Sequence, residues 1–280
     1  MSADYISELK KQIKNAQNSI KKLKDEISKK NCNQTISQVT GDKPSINVRL
    51  EERRVLAGHA GKVNCIHWAG PFTDYSFQIC SADDMGNIII WDGLWGKQKK
   101  KISAAKTWLM CCTFETLENQ FLACGGMEGK ALIFKVNSKL GRREDQSKLA
   151  TGPMAEFQGH SGNVTCCLFL DTKYLVSGSS DSSLMVWDLP EERSILTYND
   201  HTNDVLSVAG YNENYNYVAS GSSDTSARLW DIRIKHPLLR TFEGHDSGVN
   251  TVQFSSGRSQ TIATGSEDSS IRLYDLRAYK

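Results

Sequence analysis

The residue types that could do covalent chemistry here are histidine, serine and aspartate. His160, Ser177 and Asp181 lie within one stretch, and a histidine between a carboxylate and a hydroxyl can activate that hydroxyl as a nucleophile. The set does not stand alone. It returns as His201, Ser220 and Asp224 and again as His245, Thr264 and Asp268, each followed by an aromatic residue, Trp187, Trp230 or Tyr274. Catalysis needs one strained, unique site, and repetition at a regular spacing argues for a structural role instead. No phosphate-binding loop, zinc spacing, nucleophile elbow or paired-carboxylate motif accompanies them, so no cofactor, no metal and no enzymatic activity is expected. The eight cysteines, Cys32, Cys65, Cys80, Cys111, Cys112, Cys124, Cys166 and Cys167, show no C-x-x-C spacing and mostly sit in apolar stretches. They read as small buried hydrophobes rather than metal ligands or a disulfide framework.

The elements that must position these residues are repeated too. Trp91-Asp92, Phe134-Lys135, Trp187-Asp188, Trp230-Asp231 and Tyr274-Asp275 close successive units 43, 53, 43 and 44 residues apart. Gly58-His59, Gly159-His160, Asp200-His201 and Gly244-His245 open four of the five. The longer unit holds a polar insertion near Asn137–Ala150. Within the third unit the spans 163–170, 174–179, 184–189 and 194–198 alternate as strands between turns rich in Asp, Ser and Thr, which gives a four-stranded antiparallel sheet per unit.

This period and its closing dipeptide resemble WD-repeat propeller blades. The resemblance supplies the role of the recurring set: in such blades the Asp binds the His, the His binds the Ser or Thr, and the hydroxyl meets the indole N–H. A buried polar chain of that kind is tolerable when every member is paired. Two units depart from the pattern. In the first, Met85 stands where the Asp is expected, with Asp83 and Asp84 beside it; in the second there is no opening His, and Glu128 precedes Phe134. Those two blades are expected to depend less on polar networks and more on apolar packing.

The chain of 280 residues is 39% hydrophobic and 24% charged, as in globular proteins, and no apolar run approaches the roughly 20 residues that span a bilayer. With no signal-peptide core, an intracellular protein is expected. Residues 1–30 carry Ile6, Leu9, Ile13, Ala16, Ile20, Leu23 and Ile27 at alternating spacings of 3 and 4, a heptad seam with Ile at every a position. Such a seam favours a parallel two-stranded coiled coil. Its eight Lys against four Asp/Glu fit an acidic partner helix better than a second copy. The basic balance of residues 1–57 reads as a solvated helix face rather than a nucleic-acid site. Residues 31–45 are polar turn formers and read as a linker.

Several stretches resemble the beta subunits of heterotrimeric G proteins more closely than the generic repeat. They include the run from Gly58-His59-Ala60-Gly61-Lys62 to His67-Trp68, Thr107-Trp108-Leu109-Met110-Cys111-Cys112, Ser226-Ala227-Arg228-Leu229-Trp230-Asp231, and Ala263-Thr264-Gly265-Ser266-Glu267-Asp268. The resemblance implies a signalling scaffold without enzymatic activity. Its coil, through the seam just named, would hold a gamma subunit, and its narrow propeller face would bind the GDP-bound alpha subunit and then effectors. Carried across by motif, that face comprises Lys62, Trp108, Met110, Met127, Asp204, Leu206 and Asn250. It also implies a cytoplasmic protein held at the plasma membrane through its partners. Asn64 and Asn163 stand where the family commonly has Tyr, Asn87 where Lys is common, Gly248 where an acidic residue is common, and Glu267 where it has Asp. A divergent alpha subunit is therefore expected.

The expected architecture is a coiled-coil helix over 1–30, the linker over 31–45, and an all-β WD-repeat propeller over 46–280 with five repeats. Seven repeats are usual in the resembling family. With five, the segment Val48–Leu56 has no last blade to complete, and an open arc with an exposed edge beside Asp268–Leu276 is expected. Two other readings rest on weaker features. Trp230-Asp231-Ile232-Arg233 and Tyr274-Asp275-Leu276-Arg277 are similar to the W-D-x-R boxes of substrate receptors for cullin ubiquitin ligases. A generic adaptor dimerising through its own coil is the other.

Overall fold

A computed structural model describes residues 51–70, 77–136, 152–211, 216–234, 237–255 and 260–277. The heptad seam of residues 1–30, the linker and the insertion near 137–150 lie outside the described residues. The chain divides into residues 1–53 and 54–280, and the second unit carries all the strands described.

Five antiparallel sheets follow one another in chain order. Blade 1 holds β1 (Val63–Trp68), β2 (Gln78–Asp83), β3 (Asn87–Asp92) and β4 (Gln98–Ser103). Blade 2 holds β5 (Leu109–Phe114), β6 (Phe121–Gly126), β7 (Lys130–Lys135) and β8 (Ala155–Gln158). Blade 3 holds β9 (Val164–Phe169), β10 (Tyr174–Ser179), β11 (Leu184–Asp188) and β12 (Arg193–Tyr198). Blade 4 holds β13 (Val205–Gly210), β14 (Tyr217–Ser222), β15 (Ala227–Asp231) and β16 (Leu238–Phe242). Blade 5 has β17 (Val249–Phe254), β18 (Thr261–Ser266) and β19 (Ile271–Asp275). Among the described residues β19 pairs with β18 alone, and Ile271 and Leu273 stand exposed along it. Residues 54–56 form no strand.

The sheets stack because both faces of the middle strands are apolar. Ala82, Ile88 and Ile102 of blade 1 pack on Leu109, Phe114 and Leu132 of blade 2. Ala131, Ile133 and Phe157 of blade 2 pack on Phe169, Leu175 and Trp187 of blade 3. The next two seams join Val186 and Tyr198 to Val205 and Trp230, then Leu229 and Phe242 to Val252 and Ile262. The aromatic that closes a unit thus packs under the outer strand of the blade before it. Phe157 meets Trp187 with ring centroids 5.2 Å apart, Tyr198 stacks on Trp230 at 5.2 Å, and Phe242 meets Tyr274 at 4.8 Å. Tight turns set the strand spacing. Gly86 has φ +79°, and a Cβ there would come within 2.1 Å of the Ala105 carbonyl, so no other residue fits.

The described cysteines are all unpaired thiols inside this packing. Cys65 Sγ lies 3.3 Å from Cys112 Sγ, which is 3.6 Å from Cys80 Sγ. The hydrogen bond to Cys112, together with burial, pushes the Cys65 thiol far above its ordinary value, and burial pushes Cys166 up to about 12. Thiols held this way are poor nucleophiles, in keeping with a packing role.

His67, which no motif singles out, links blades 1 and 2. Its Nδ1 accepts the Phe114 backbone N–H at 3.2 Å, and Thr113 Oγ1 lies 3.4 Å from its Nε2. Burial lowers its pKa from 6.5 to about 4. The unfolded chain therefore takes up a proton between those values and the folded chain does not, so stability is full above about pH 6.5 and falls as pH drops toward 4. His67→Asn, which keeps an acceptor without a titrating group, should flatten the pH dependence of the urea midpoint across that window. The expected difference reaches up to about 3 kcal/mol. An unchanged slope would assign the acid sensitivity to other groups.

Candidate partner-binding surface

The triad-like sets are assembled as closed chains. In blade 3 the His160 Nδ1 lies 3.2 Å from the Asp181 carboxylate and 2.9 Å from Ser183 Oγ, its Nε2 lies 2.7 Å from Ser177 Oγ, and the Trp187 indole N–H donates to that Oγ at 2.8 Å. Blade 4 repeats this with His201 to Asp224 and to Ser220 at 2.7 Å each, and Trp230 to Ser220 at 2.8 Å. With Nδ1–H donated to the carboxylate, Nε2 is the acceptor, so the serine hydroxyl donates to it and accepts the indole. The hydroxyl is fully engaged. Ser177 and Ser220 are also wholly buried, so no substrate can reach either oxygen. Burial opposes ionisation of Asp181 and Asp224, yet hydrogen bonds from Ser183 and the Ser161 N–H on the first, and from His201 and Ser226 on the second, hold both carboxyls well below the usual range.

Blades 1, 2 and 5 each differ from the arrangement in blades 3 and 4. In blade 1 His59 donates to Asp83 at 2.8 Å and meets Ser81 at 2.7 Å, and Trp91 donates to Ser81 at 2.8 Å. The polar chain is therefore complete, with Asp83 in place of the residue at 85, and the expectation of a weakened network in this blade is corrected. Asp83 lies at the end of β2, where its other oxygen accepts the Met85 and Asn87 N–H groups at 3.0 and 2.7 Å, so the turn itself aims the carboxylate at the imidazole. Met85 is left exposed. In blade 5 His245 meets Asp268 and Thr264 at 2.7 Å each, but the Tyr274 hydroxyl donates to the Glu243 carbonyl at 3.4 Å. Tyr274 is thus corrected from a member of the chain to a packing residue beside it. Blade 2 has Ala105 three residues after Ile102, where the other units have histidine, and Cys124 and Phe134 lie apolar and buried behind it. Its Glu128 accepts from Thr107 Oγ1 at the surface instead, at 3.2 Å.

The residues expected to face partners gather at the start of the inner strands. Lys62, Trp108 and Asp204 each stand one place before an inner strand, and Met110, Leu206 and Asn250 are each its second residue. The ladders explain why those second positions project. In every blade the register slips between the first and third residues of the inner strand, at Val63/Cys65, Leu109/Cys111, Val164/Cys166, Val205/Ser207 and Val249/Thr251. Each slip is a β-bulge that leaves one residue without a cross-strand partner and re-aims its side chain. The bulged residues are Asn64, Met110, Thr165, Leu206 and Asn250. Successive strand starts lie side by side. Asn64 Nδ2 donates to the Leu109 carbonyl at 2.9 Å, Cys111 Sγ to Val164 O at 3.9 Å, and Thr165 Oγ1 to Val205 O.

On blade 2 the Met127 N–H donates to the Trp108 carbonyl at 3.1 Å, which joins Trp108, Met110 and Met127 on two adjacent strands. All three are exposed, Trp108 by 56%. Gly126 allows this approach, because a Cβ there would fall 2.0 Å from the Trp108 oxygen. Lys62 and Asn250 are exposed, while Asp204 and Leu206 are half-buried on blade 4. Asn64 and Thr165 share the bulge position but direct polar atoms into the next blade. Asn64 is one of the departures from the resembling family, whereas no motif marks Thr165. The signal available in sequence was the broken alternation at each strand start.

The description "WD domain, G-beta repeat" matches residues 151–188, 192–231 and 236–275. A guanine nucleotide-binding protein subunit beta of Dictyostelium discoideum is 32% identical over 209 residues, 72% of this chain and 56% of the relative. A protein of the same description from Lymnaea stagnalis is 31% identical over 162 residues, 58% of this chain and 44% of the relative. The chain is a G-beta-like WD-repeat protein. It spans about half the length of these curated relatives. Each matched repeat supplies the outer strand of one blade and the first three of the next. The units outside the match include the one with the displaced Asp83 and the one without histidine. In this WD-repeat protein both W-D-x-R boxes close on themselves: Arg233 grips Asp231 at 2.9 and 2.7 Å, and Arg277 grips Asp275 at the same distances. Those arginine forks are engaged at the strand ends.

Proposed function

We propose that this chain is a non-enzymatic signalling scaffold, the beta subunit of a heterotrimeric G protein. In this reading the seam Ile6, Leu9, Ile13, Ala16, Ile20, Leu23 and Ile27 holds a gamma subunit. The row of inner-strand starts binds the GDP-bound alpha subunit and, once alpha has left, effectors. The partners bring the chain to the cytoplasmic face of the plasma membrane.

The observation that carries the reading is the bulge repeated at the second residue of every inner strand, together with the exposed Trp108, Met110 and Met127. A bulge lifts a side chain out of the ladder while pairing resumes beyond it, and on blades 2, 4 and 5 the same backbone device projects Met110, Leu206 and Asn250. Trp108 offers a large apolar area with a donor and is the natural anchor. Trp108→Ala should weaken binding of a GDP-bound alpha subunit by about 2 kcal/mol or more, with thermal stability little changed because the ring already faces water. Titration calorimetry beside a melting curve reads both. Normal binding with a lowered melting temperature would make Trp108 a packing residue and end the site assignment. Purification from native cells distinguishes the broader alternatives, since a gamma-like subunit, a cullin adaptor and self-association give different partners.

A further inference from the structure

Blade 1 holds a feature outside the heptad seam and the row of inner-strand starts. The turn between β3 and β4 lifts two large apolar side chains into water, Leu94 at 39% and Trp95 at 68% exposure. The turn is well fixed. The Asp92 carboxylate accepts the Leu94 and Trp95 backbone N–H groups at 3.0 Å each, and the Gly96 N–H donates to the Asp92 carbonyl at 2.7 Å. Gly96 takes φ +67° to turn the chain into β4. The two side chains therefore stand on a rigid tip, and their ordering costs little on contact.

Cations lie beside that tip and along the strand that leaves it. Lys97, Lys99 and Lys101 follow it with exposed side chains, and Arg54 lies against Gly96, where an added Cβ would sit 3.2 Å from the arginine Cδ. Asp92 answers one of them, Lys99, at 3.3 Å. An occupant that fits must offer an apolar interior ringed by negative charge, and it must receive a convex tip rather than fill a groove. A bilayer containing anionic lipid has that arrangement: tryptophan favours the headgroup boundary, and nearby lysines meet acidic headgroups.

We infer that the Leu94–Trp95 tip is a direct membrane contact, inserted at the headgroup boundary while Lys97, Lys99 and Lys101 bind anionic lipid. It is independent of any gamma or alpha subunit. The full chain alone should sediment with phosphatidylcholine vesicles that contain phosphatidylserine and not with phosphatidylcholine alone, and salt should weaken the binding. Lys97→Glu with Lys101→Glu should lower partitioning about tenfold or more. Lipids brominated near the headgroup end of the chains should quench tryptophan fluorescence. The Trp68 ring is also exposed and lies against Gly93 of the same turn, so Trp95→Phe should lower that quenching, and Trp95→Phe with Trp68→Phe should remove it while the protein still binds.

Three results would overturn the inference. One is failure to bind the anionic vesicles. Another is quenching that survives the paired change of Trp95 and Trp68, which would place the contact elsewhere, as at the exposed Trp108. The third is binding of soluble polyglutamate, lost in the charge reversals, without vesicle binding, which would mark an acidic protein partner. Unchanged melting of each variant shows that the fold is intact.

Discussion

Trp230→Ala should destabilise the propeller domain by about 3–5 kcal/mol, the range for emptying a buried aromatic site. Trp230 is wholly buried, stacked on Tyr198 with an interplanar angle of 4°, and sits edge-on to His201 at 5.9 Å. Its indole N–H also satisfies Ser220 Oγ at 2.8 Å. Truncation opens a cavity between blades 3 and 4 and leaves that hydroxyl short of a donor, so the packing and polar penalties add. Trp230→Phe should cost less, about 1–2 kcal/mol, because most of the volume stays and one hydrogen bond goes. Blade 2 shows how the same place is filled without polarity, by Cys124 and Phe134 together. Ser220→Cys combined with Trp230→Phe should therefore cost less than the sum of the two single changes, since the indole donor and the hydroxyl that accepts it go together; His201 Nε2 then keeps only a weak S–H donor, so the double change still costs some stability. Chemical unfolding followed by circular dichroism measures all three. A loss below about 1 kcal/mol for Trp230→Ala would mean that the seam collapses to fill the space.

Ile13→Asp with Ile20→Asp should abolish co-purification of a gamma-like helix. Both residues are a positions of the heptad, where a knob enters a hole on the partner helix. An aspartate there must desolvate without a counter-charge, which costs several kcal/mol per site, more than a short two-stranded seam gains from one heptad. Melting of the WD repeats should stay unchanged, which separates a lost interface from general unfolding. Ile13→Leu with Ile20→Leu should retain a partner, since the seam stays apolar. A partner held at full yield by the aspartate variant would show that residues 6–27 are not the surface that binds it.

Much of the blade architecture is legible in the sequence because strand length and turn length are set locally. Trp187 and Trp230 each follow their serine by ten residues, Ser177 and Ser220, and those offsets are the path length of one hairpin. The chains of blades 3 and 4 could therefore be written from spacing. Blade 1 could not. Either Asp83 or a residue two places later can point a carboxylate at His59, and the choice fell to the backbone N–H groups of Met85 and Asn87, which fix Asp83 in the tertiary turn. Tyr274 departs from the spacing for a related reason. A phenol carries its polar atom at the end of the ring, whereas an indole carries it on the side, so the hydroxyl reached past Thr264 to the Glu243 carbonyl.

What the sequence determined by itself is the repeat, its period, the buried polar chains where spacing is regular, and the heptad pattern of residues 1–30. These depend on neighbours along the chain, where geometry varies little. The tertiary structure alone decided which residues the blades exchange. His67 gained a role when Phe114 of the next blade offered its N–H, and Asn64 and Thr165 turned their polar atoms toward blades 2 and 4. It also decided the projection of Met110, Leu206 and Asn250, because a bulge is a mismatch between two strands and neither strand contains it alone.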